Sequence, residues 1–244
     1  MKLSSMFKDC ARFVVSNWYN VLFLGFILFL TDVSIFNVQS SFKGLLEILT
    51  IIIVAVLFFV EVGYGCRIVD ETVQGSSKPP SFHHPQNLLW EGMKECVVFT
   101  TYFIVPLILI TLGISEIATF LEFDINSIVT KFSLLISILF FVALNIMLQG
   151  AILNMAHHGG SIISGFNIPQ IFRKIRMVGL KNMIMVSLII MLGIGVFGNA
   201  VPDTFHGFPF PFSTLSEVII TFIVLPSMII FTARLLGLID VEEE

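Results

Sequence analysis

The chain has 244 residues, 56% of them hydrophobic and 12% charged, about half the charge carried by an ordinary soluble domain. The missing charge is not replaced by Gly/Pro low complexity, which excludes disordered and fibrous classes, and 26 Phe with dense Ile and Leu make lipid the solvent for much of the surface. The net charge of −4 carries little weight, because the charges are segregated along the chain.

Crossing the hydrocarbon core takes about 20 mostly apolar residues. Six windows qualify, in order Phe13–Thr31, Leu45–Gly65, Cys96–Ser115, Phe132–Ala156, Asn182–Val201 and Val218–Leu236. The first is interrupted by Ser16, Asn17 and Asn20. Lys2 and Lys8 would suit the start of a cleaved signal peptide, but no small-x-small site follows the apolar run, so a permanent span is expected.

Lys and Arg set the orientation of such a chain. Lys2, Lys8, Arg12, Arg67, Lys78, Lys94, Arg173, Lys174, Arg176, Lys181 and Arg234 fall on one side of a six-span arrangement, and only Lys43 and Lys131 on the other. The expected location is the cell membrane, multi-pass, with both termini cytoplasmic and an acidic tail at 240–244.

Three amphipathic stretches precede spans on that side. Leu3, Met6, Phe7, Cys10 and Val14 share one helical face, opposite Lys8, Asp9 and Arg12. After Pro85, Leu88, Leu89, Met93 and Cys96 oppose Asn87, Glu91 and Glu95. After Pro169, Ile171, Phe172, Ile175, Val178 and Gly179 oppose Arg173, Lys174 and Lys181. Proline suits the first turn, where its missing N–H costs nothing. Helices of this kind lie in the interface plane, apolar face down, with basic residues at anionic head groups.

Two of these stretches share letters. FHHPQNLLWEGMK, from Phe82 to Lys94, is echoed by FNIPQIFRKIRMVGLK, from Phe166 to Lys181: both read F-x-x-P-Q, then an amphipathic run, then G-[M/L]-K and a span. The reading is an interfacial elbow, with Pro85, Trp90, Gly92, Lys94, Pro169, Gly179 and Lys181 as its candidate residues. The expected fold is all-α: one polytopic membrane domain over 1–244, six transmembrane helices with cytoplasmic interfacial helices, and a parallel repeat of units 1–65, 80–156 and 166–237.

Polar groups inside hydrocarbon are the functional candidates. Glu61 lies near the cytoplasmic end of the second span, where it either lines a path, reaches the head groups or pairs with Arg67. Ser133, Ser137, Phe141, Asn145 and Gln149 recur every four residues on one face of the fourth span. Asn145 and Gln149 either hydrogen-bond a neighbouring helix or line a polar solute path with Glu61. Gly193, Gly195 and Gly198 read as close helix contact. The aromatic run around Phe205, Phe208, Phe210 and Phe212 reads as an interfacial loop, or as a plug or partner-binding lip.

Cys10, Cys66 and Cys96 have neither the number nor the spacing of a disulfide framework or zinc site. His83–His84 and His157–His158 read as interfacial polar residues rather than a metal site, and no metal or other cofactor is expected. No phosphate loop, dinucleotide fingerprint, zinc-protease or nucleophile-elbow motif occurs.

One longer run carries a family likeness. Gly63, Tyr64, Pro80, Phe82, Trp90, Gly92, Lys94, Tyr102 and Pro106 match a pattern of Gly-Tyr at a span end, a Pro-aromatic turn, an aromatic residue and Gly-x-Lys leading into a span with Tyr and Pro. In this the chain resembles an uncharacterised membrane family of archaea and bacteria, domain of unknown function 4013. The likeness covers Gly63 to about Met185, with Ala156–Lys181 similar again. The family carries an acidic residue in the Pro-aromatic turn, where His83 stands here. The resemblance implies membrane location and fold, and no catalytic residue.

The expected function is non-enzymatic: organising membrane lipids through anionic head groups or docking a protein partner, with no role for nucleic acid. The alternative is a small-solute transporter or channel.

Overall fold

The computed structural model describes residues 3–40, 44–82, 85–106, 108, 129–196, 216 and 218–241, with only the backbone given for 3, 32–40, 45–46, 129–138 and 194. The expected turn at His83–His84, positions 107 and 109–115 of the third span, Lys43, the aromatic run Phe205–Phe212 and the last three residues of the acidic tail lie outside the described residues, as does the side chain of Lys131.

Among the described residues every regular element is a helix. These are α1 (Leu3–Val15), α2 (Trp18–Ser40), α3 (Leu45–Val73), α4 (Pro85–Phe99), α5 (Val129–Ala156), α6 (Ile168–Val178), α7 (Leu180–Gly195) and α8 (Leu225–Val241), with a single helical turn at Ile162–Gly165 and π-helical stretches at Thr100–Ile104 and Ile220–Val224. The helices Glu47–Val73, Leu139–Ala156 and Ile220–Val241 are each long and apolar enough to cross a membrane. Two further pairs qualify if each counts as one broken span: Ser4–Val15 with Trp18–Thr31, bent by 77°, and Ile168–Val178 with Leu180–Gly193, bent by 91°. Ile51, Ile52 and Ile53 are all more than half exposed on α3. Apolar surface of that extent fits hydrocarbon better than water, and these helices suggest a membrane protein.

The breaks have local causes. At the first, the Ser16 hydroxyl donates back to the Phe13 carbonyl at 2.7 Å and the Asn17 side chain accepts from the Asn20 amide, so the backbone has partners outside the helical ladder. The polar residues that interrupt the first expected span are therefore its start signal, and α2 begins at Trp18, five residues later than the sequence suggests. At the second, Gly179 has φ 83° and ψ 129°, a conformation that side-chain-bearing residues rarely adopt.

Both π-helical stretches end two residues before a proline, Pro106 or Pro226. Proline has no N–H and clashes with the carbonyl four residues back, which a wider turn relieves. The carbonyl four before Pro226 belongs to Phe222, and its oxygen lies only 2.4 Å from where a side chain on Gly25 would begin. A glycine there lets α2 close on the widened turn.

The amphipathic helices α1 and α6 each turn an apolar face into the protein. Met6, Cys10 and Phe13 of α1 are buried, Phe7 lies 5.5 Å from the Phe231 ring of α8, and Asp9 pairs with the buried Arg234 at 3.0 Å. Arg234 also donates to Thr72 and to the Ser76 carbonyl, and its guanidinium lies 4.4 Å from the Phe13 ring centroid. Ile171, Ile175 and Val178 of α6 are buried likewise, the two isoleucines against Gly150 of α5. On the outward side of α6, Phe172 and Met177, 56% and 48% exposed, flank Arg173 and Arg176.

Candidate functional site

The stripe on α5 becomes a closed hydrogen-bonded knot. Gln149 Nε2 donates to Asn145 Oδ1 and, at 2.9 Å, to Ser187 Oγ of α7, while the Ser187 hydroxyl donates to Asn145 Oδ1 at 3.0 Å. All three residues are buried, and Gln149 Oε1 has no hydrogen-bond partner. Glu61 is elsewhere. It lines a cavity of about 350 Å³ with Leu28, Ile190, Gly193, Leu225, Met228, Ile229 and Thr232, in which neither Asn145 nor Gln149 takes part. The structure brings two of the three candidate path residues together and sets the third in a separate void.

The elbow residues divide in the same way. Pro85 opens α4, and Pro169 follows the first residue of α6, whose N-terminus is capped by the Asn167 side chain accepting from the Gln170 amide. Gly179 is a true bend. Gly92 is not: helical structure runs from Pro85 through the G-M-K to Pro106. Gly92 instead faces Gly63 of α3, and a side chain on it would begin 1.7 Å from the Phe59 carbonyl oxygen. Lys94 reaches across to donate to the Gly160 carbonyl at 3.2 Å, Trp90 is 60% exposed, and Lys181 is exposed on the first turn of α7.

Polar side chains with cationic character gather where α5 meets α6, a site the sequence reading did not assemble. Lys174 is 8% exposed and Asp240 2%. Lys174 Nζ pairs with Asp240 Oδ1 at 2.7 Å and lies 2.7 Å from His157 Nε2, which itself contacts Asp240 Oδ2. The His158 ring bonds through Nδ1 to the Asn154 carbonyl, and Asn154 Nδ2 donates to the Ser164 carbonyl at 2.7 Å. Beside this knot Asn154, His157, His158, Gln170, Arg173, Lys174 and Met177 line a cleft of about 240 Å³. Asp240 balances one positive charge, and among the described residues no acid pairs with Arg173 at the rim. Hydrogen-bond donors of this kind around a surface cleft suit a phosphate or carboxylate group. Two successive left-handed glycines, Gly159 (φ 61°) and Gly160 (φ 70°), turn the chain sharply after the histidines and position the pair. The His-His-Gly-Gly run was the signal in the sequence. Among the described residues no three His, Cys, Asp or Glu side chains are grouped to hold a metal ion.

One buried acid was also missed. Glu95, placed by sequence on the polar face of its helix, is 8% exposed and its Oε2 has no hydrogen-bond partner. Burial pushes its carboxyl up to about 8, with the Asp70 charge adding to the effect. The helical spacing of Leu88, Gly92 and Glu95, all buried, places it on the inner face and was legible had Gly92 been taken as the contact point.

Residues 46–202 match the family described as Protein of unknown function (DUF4013), more than half of the chain. The chain belongs to this family, in agreement with the resemblance drawn from Gly63 to about Met185. No curated protein and no solved structure matches it.

Proposed function

We propose that this member of the family of unknown function is a non-enzymatic, multi-pass protein of the cell membrane that organises anionic lipid head groups at its cytoplasmic face and offers that face to a partner. In this reading six helices span the bilayer, both termini are cytoplasmic, the units 1–65, 80–156 and 166–237 form a parallel repeat, and the outward side of α6 rests on the lipid boundary. The observation that supports it is the cleft of Arg173, Lys174, His157, His158, Gln170 and Asn154 beside the exposed apolar Phe172 and Met177. A charged group flanked by apolar surface is the arrangement a lipid head and its chains require. Unfolding of the purified chain in nanodiscs tests this. Phosphatidylglycerol should raise the midpoint over phosphatidylcholine alone, and an equal midpoint in both would count against the reading. Reporter fusions at the two termini test the orientation independently.

A second reading, a solute path, has one observation in its favour. Ser187 of the polar knot and Ile190 of the Glu61 cavity lie one turn apart on α7, so knot and cavity adjoin along one helix. Flux through liposomes that Glu61→Gln abolishes would favour it, and flux indifferent to that substitution would remove Glu61 from the path.

A further inference from the structure

The cleft between α5 and α6 is specified more closely by which of its polar groups are already engaged. His158 Nδ1 lies 2.7 Å from the Asn154 carbonyl oxygen. A carbonyl only accepts, so Nδ1 carries the ring proton and the outer nitrogen, Nε2, keeps a lone pair open to a proton. Asn154 Nδ2 donates to the Ser164 carbonyl at 2.7 Å and, at 3.4 Å, to Gln170 Oε1. The second contact turns Gln170 so that its amide N–H groups remain as donors. Lys174 gives protons to Asp240 Oδ1 and His157 Nε2, so its charge is met inside the protein.

Three groups are left for a ligand: the Arg173 guanidinium, the Gln170 amide and His158 Nε2. Arg173 presents parallel N–H groups that take two oxygens of a phosphate at once. A lone pair on Nε2 repels a bare anionic oxygen and bonds one only through a shared proton, carried by the oxygen or by the ring. A phosphate diester has two terminal oxygens, both spent on the Arg173 fork, and no proton to share near neutrality. A monoester has a third terminal oxygen, and its second proton leaves with a pKa of about 6, near enough to neutrality to be shared. Charge points the same way. The charged and titratable groups described around the cleft are His157 and His158 after α5, Arg173 and Lys174 on α6 and Asp240 on α8. With both histidines neutral these leave one net positive charge, while a monoester brings nearly two negative ones. A proton on His158 balances the second.

We propose that the cleft selects a phosphate monoester over a diester, Arg173 holding two terminal oxygens, Gln170 and His158 meeting the third, and a proton taken up from solvent between His158 Nε2 and that oxygen. The assignment rests on the head-group reading above. The exposed apolar side chains Phe172 and Met177 beside the cleft make the monoester the head of a lipid, as in phosphatidate.

The test uses the full chain in phosphatidylcholine nanodiscs carrying equal fractions of dioleoyl phosphatidate and phosphatidylglycerol, with retention read by native mass spectrometry. At neutral pH phosphatidate should be retained about tenfold better, the worth of a hydrogen bond to a charged group. Its retention should also fall with rising pH more steeply than that of phosphatidylglycerol, because only the monoester complex needs the extra proton. His158→Asn keeps an N–H for the Asn154 carbonyl and lacks the outer nitrogen. It should lower phosphatidate retention to the phosphatidylglycerol level, make the two pH profiles parallel and leave phosphatidylglycerol unchanged. Equal retention of the two lipids by the unsubstituted chain, or parallel pH profiles, would overturn the monoester assignment alone. Retention of neither above phosphatidylcholine would overturn the head-group reading beneath it. Glycerol 3-phosphate at the same total concentration should not displace phosphatidate; displacement would move the same chemistry to a soluble monoester and overturn the lipid source. Should His158→Asn fail to fold, the lipid ratio and pH profiles of the unsubstituted chain still decide.

Discussion

The two stretches that share F-x-x-P-Q and G-x-K fold alike at their heads and differently at their tails. In each, the leading phenylalanine stacks on a tyrosine: Phe82 on Tyr64 with centroids 4.0 Å apart, Phe166 on Tyr102 at 5.9 Å. In each, proline sits in the first turn of the helix that follows. The glycine then serves two opposite ends. Gly92, seven residues after its proline, keeps helical geometry and brings two backbones into contact through its missing side chain. Gly179, ten residues after its proline, takes a left-handed φ and turns the chain by 91°. The three extra residues of the second copy rotate its glycine off the face that meets a neighbour, and the same letter is then read for its freedom rather than its size. Their anchors differ too. Arg67 and Glu91 at the first are 17% and 33% exposed, whereas Lys174 and Asp240 at the second are 9% and 2%.

That contrast can be broken at four places. Asp240→Asn should be the most damaging, because it strands a buried ammonium at a cost of about 3–5 kcal/mol, while Lys174→Met with Asp240→Leu together should recover most of the loss. Unfolding midpoints of the single and double variants check this. Next comes Gly92→Ala, which sets a methyl against the Phe59 carbonyl. Helix separation should cost about 3 kcal/mol, the upper end for overpacking, visible as lower yield of monodisperse protein as well as a lower midpoint. Gly179→Ala meets no close neighbour beyond the Asn182 side chain, so only its backbone strain counts, about 1–2 kcal/mol. If Gly92→Ala and Gly179→Ala prove equally harmful, the distinction between contact and bend is wrong. Glu91→Gln should be mildest, about 0–1 kcal/mol, as for other partly exposed ion pairs, and less severe in raised salt.

The helical class, three of the apolar spans and the family were legible in the sequence, because hydrophobic run length and a few spaced Gly, Tyr and Pro residues carry them. The starts of α5 at Val129 and of α7 at Leu180 fall within three residues of the expected span starts. The elbow was legible only in its second copy. A glycine before a lysine looks identical whether it ends a helix or lets one pass close to another, and the difference rests on what stands opposite, here Phe59 and Gly63. The pairs that do bend, α1 with α2 and α6 with α7, share no motif; Ser16 and Asn17 end one helix and Gly179 the other. The cleft at α6 was illegible for a related reason. Lys174 and Asp240 are separated by 66 residues of chain, and a count of cations cannot say which of them an acid from α8 will neutralise. Arg173 and Lys174 look equivalent as neighbours, yet one is exposed at the rim and the other buried in the knot.

The rim position makes Arg173 the point at which the proposed lipid contact is most directly measured. Retention of phosphatidylglycerol by the purified full chain, read by native mass spectrometry from mixed nanodiscs, should drop severalfold for Arg173→Gln. Arg12→Gln, an exposed cation on α1 away from the cleft, should leave it unchanged. Equal retention by the unsubstituted chain and both variants would contradict a head-group site between α5 and α6.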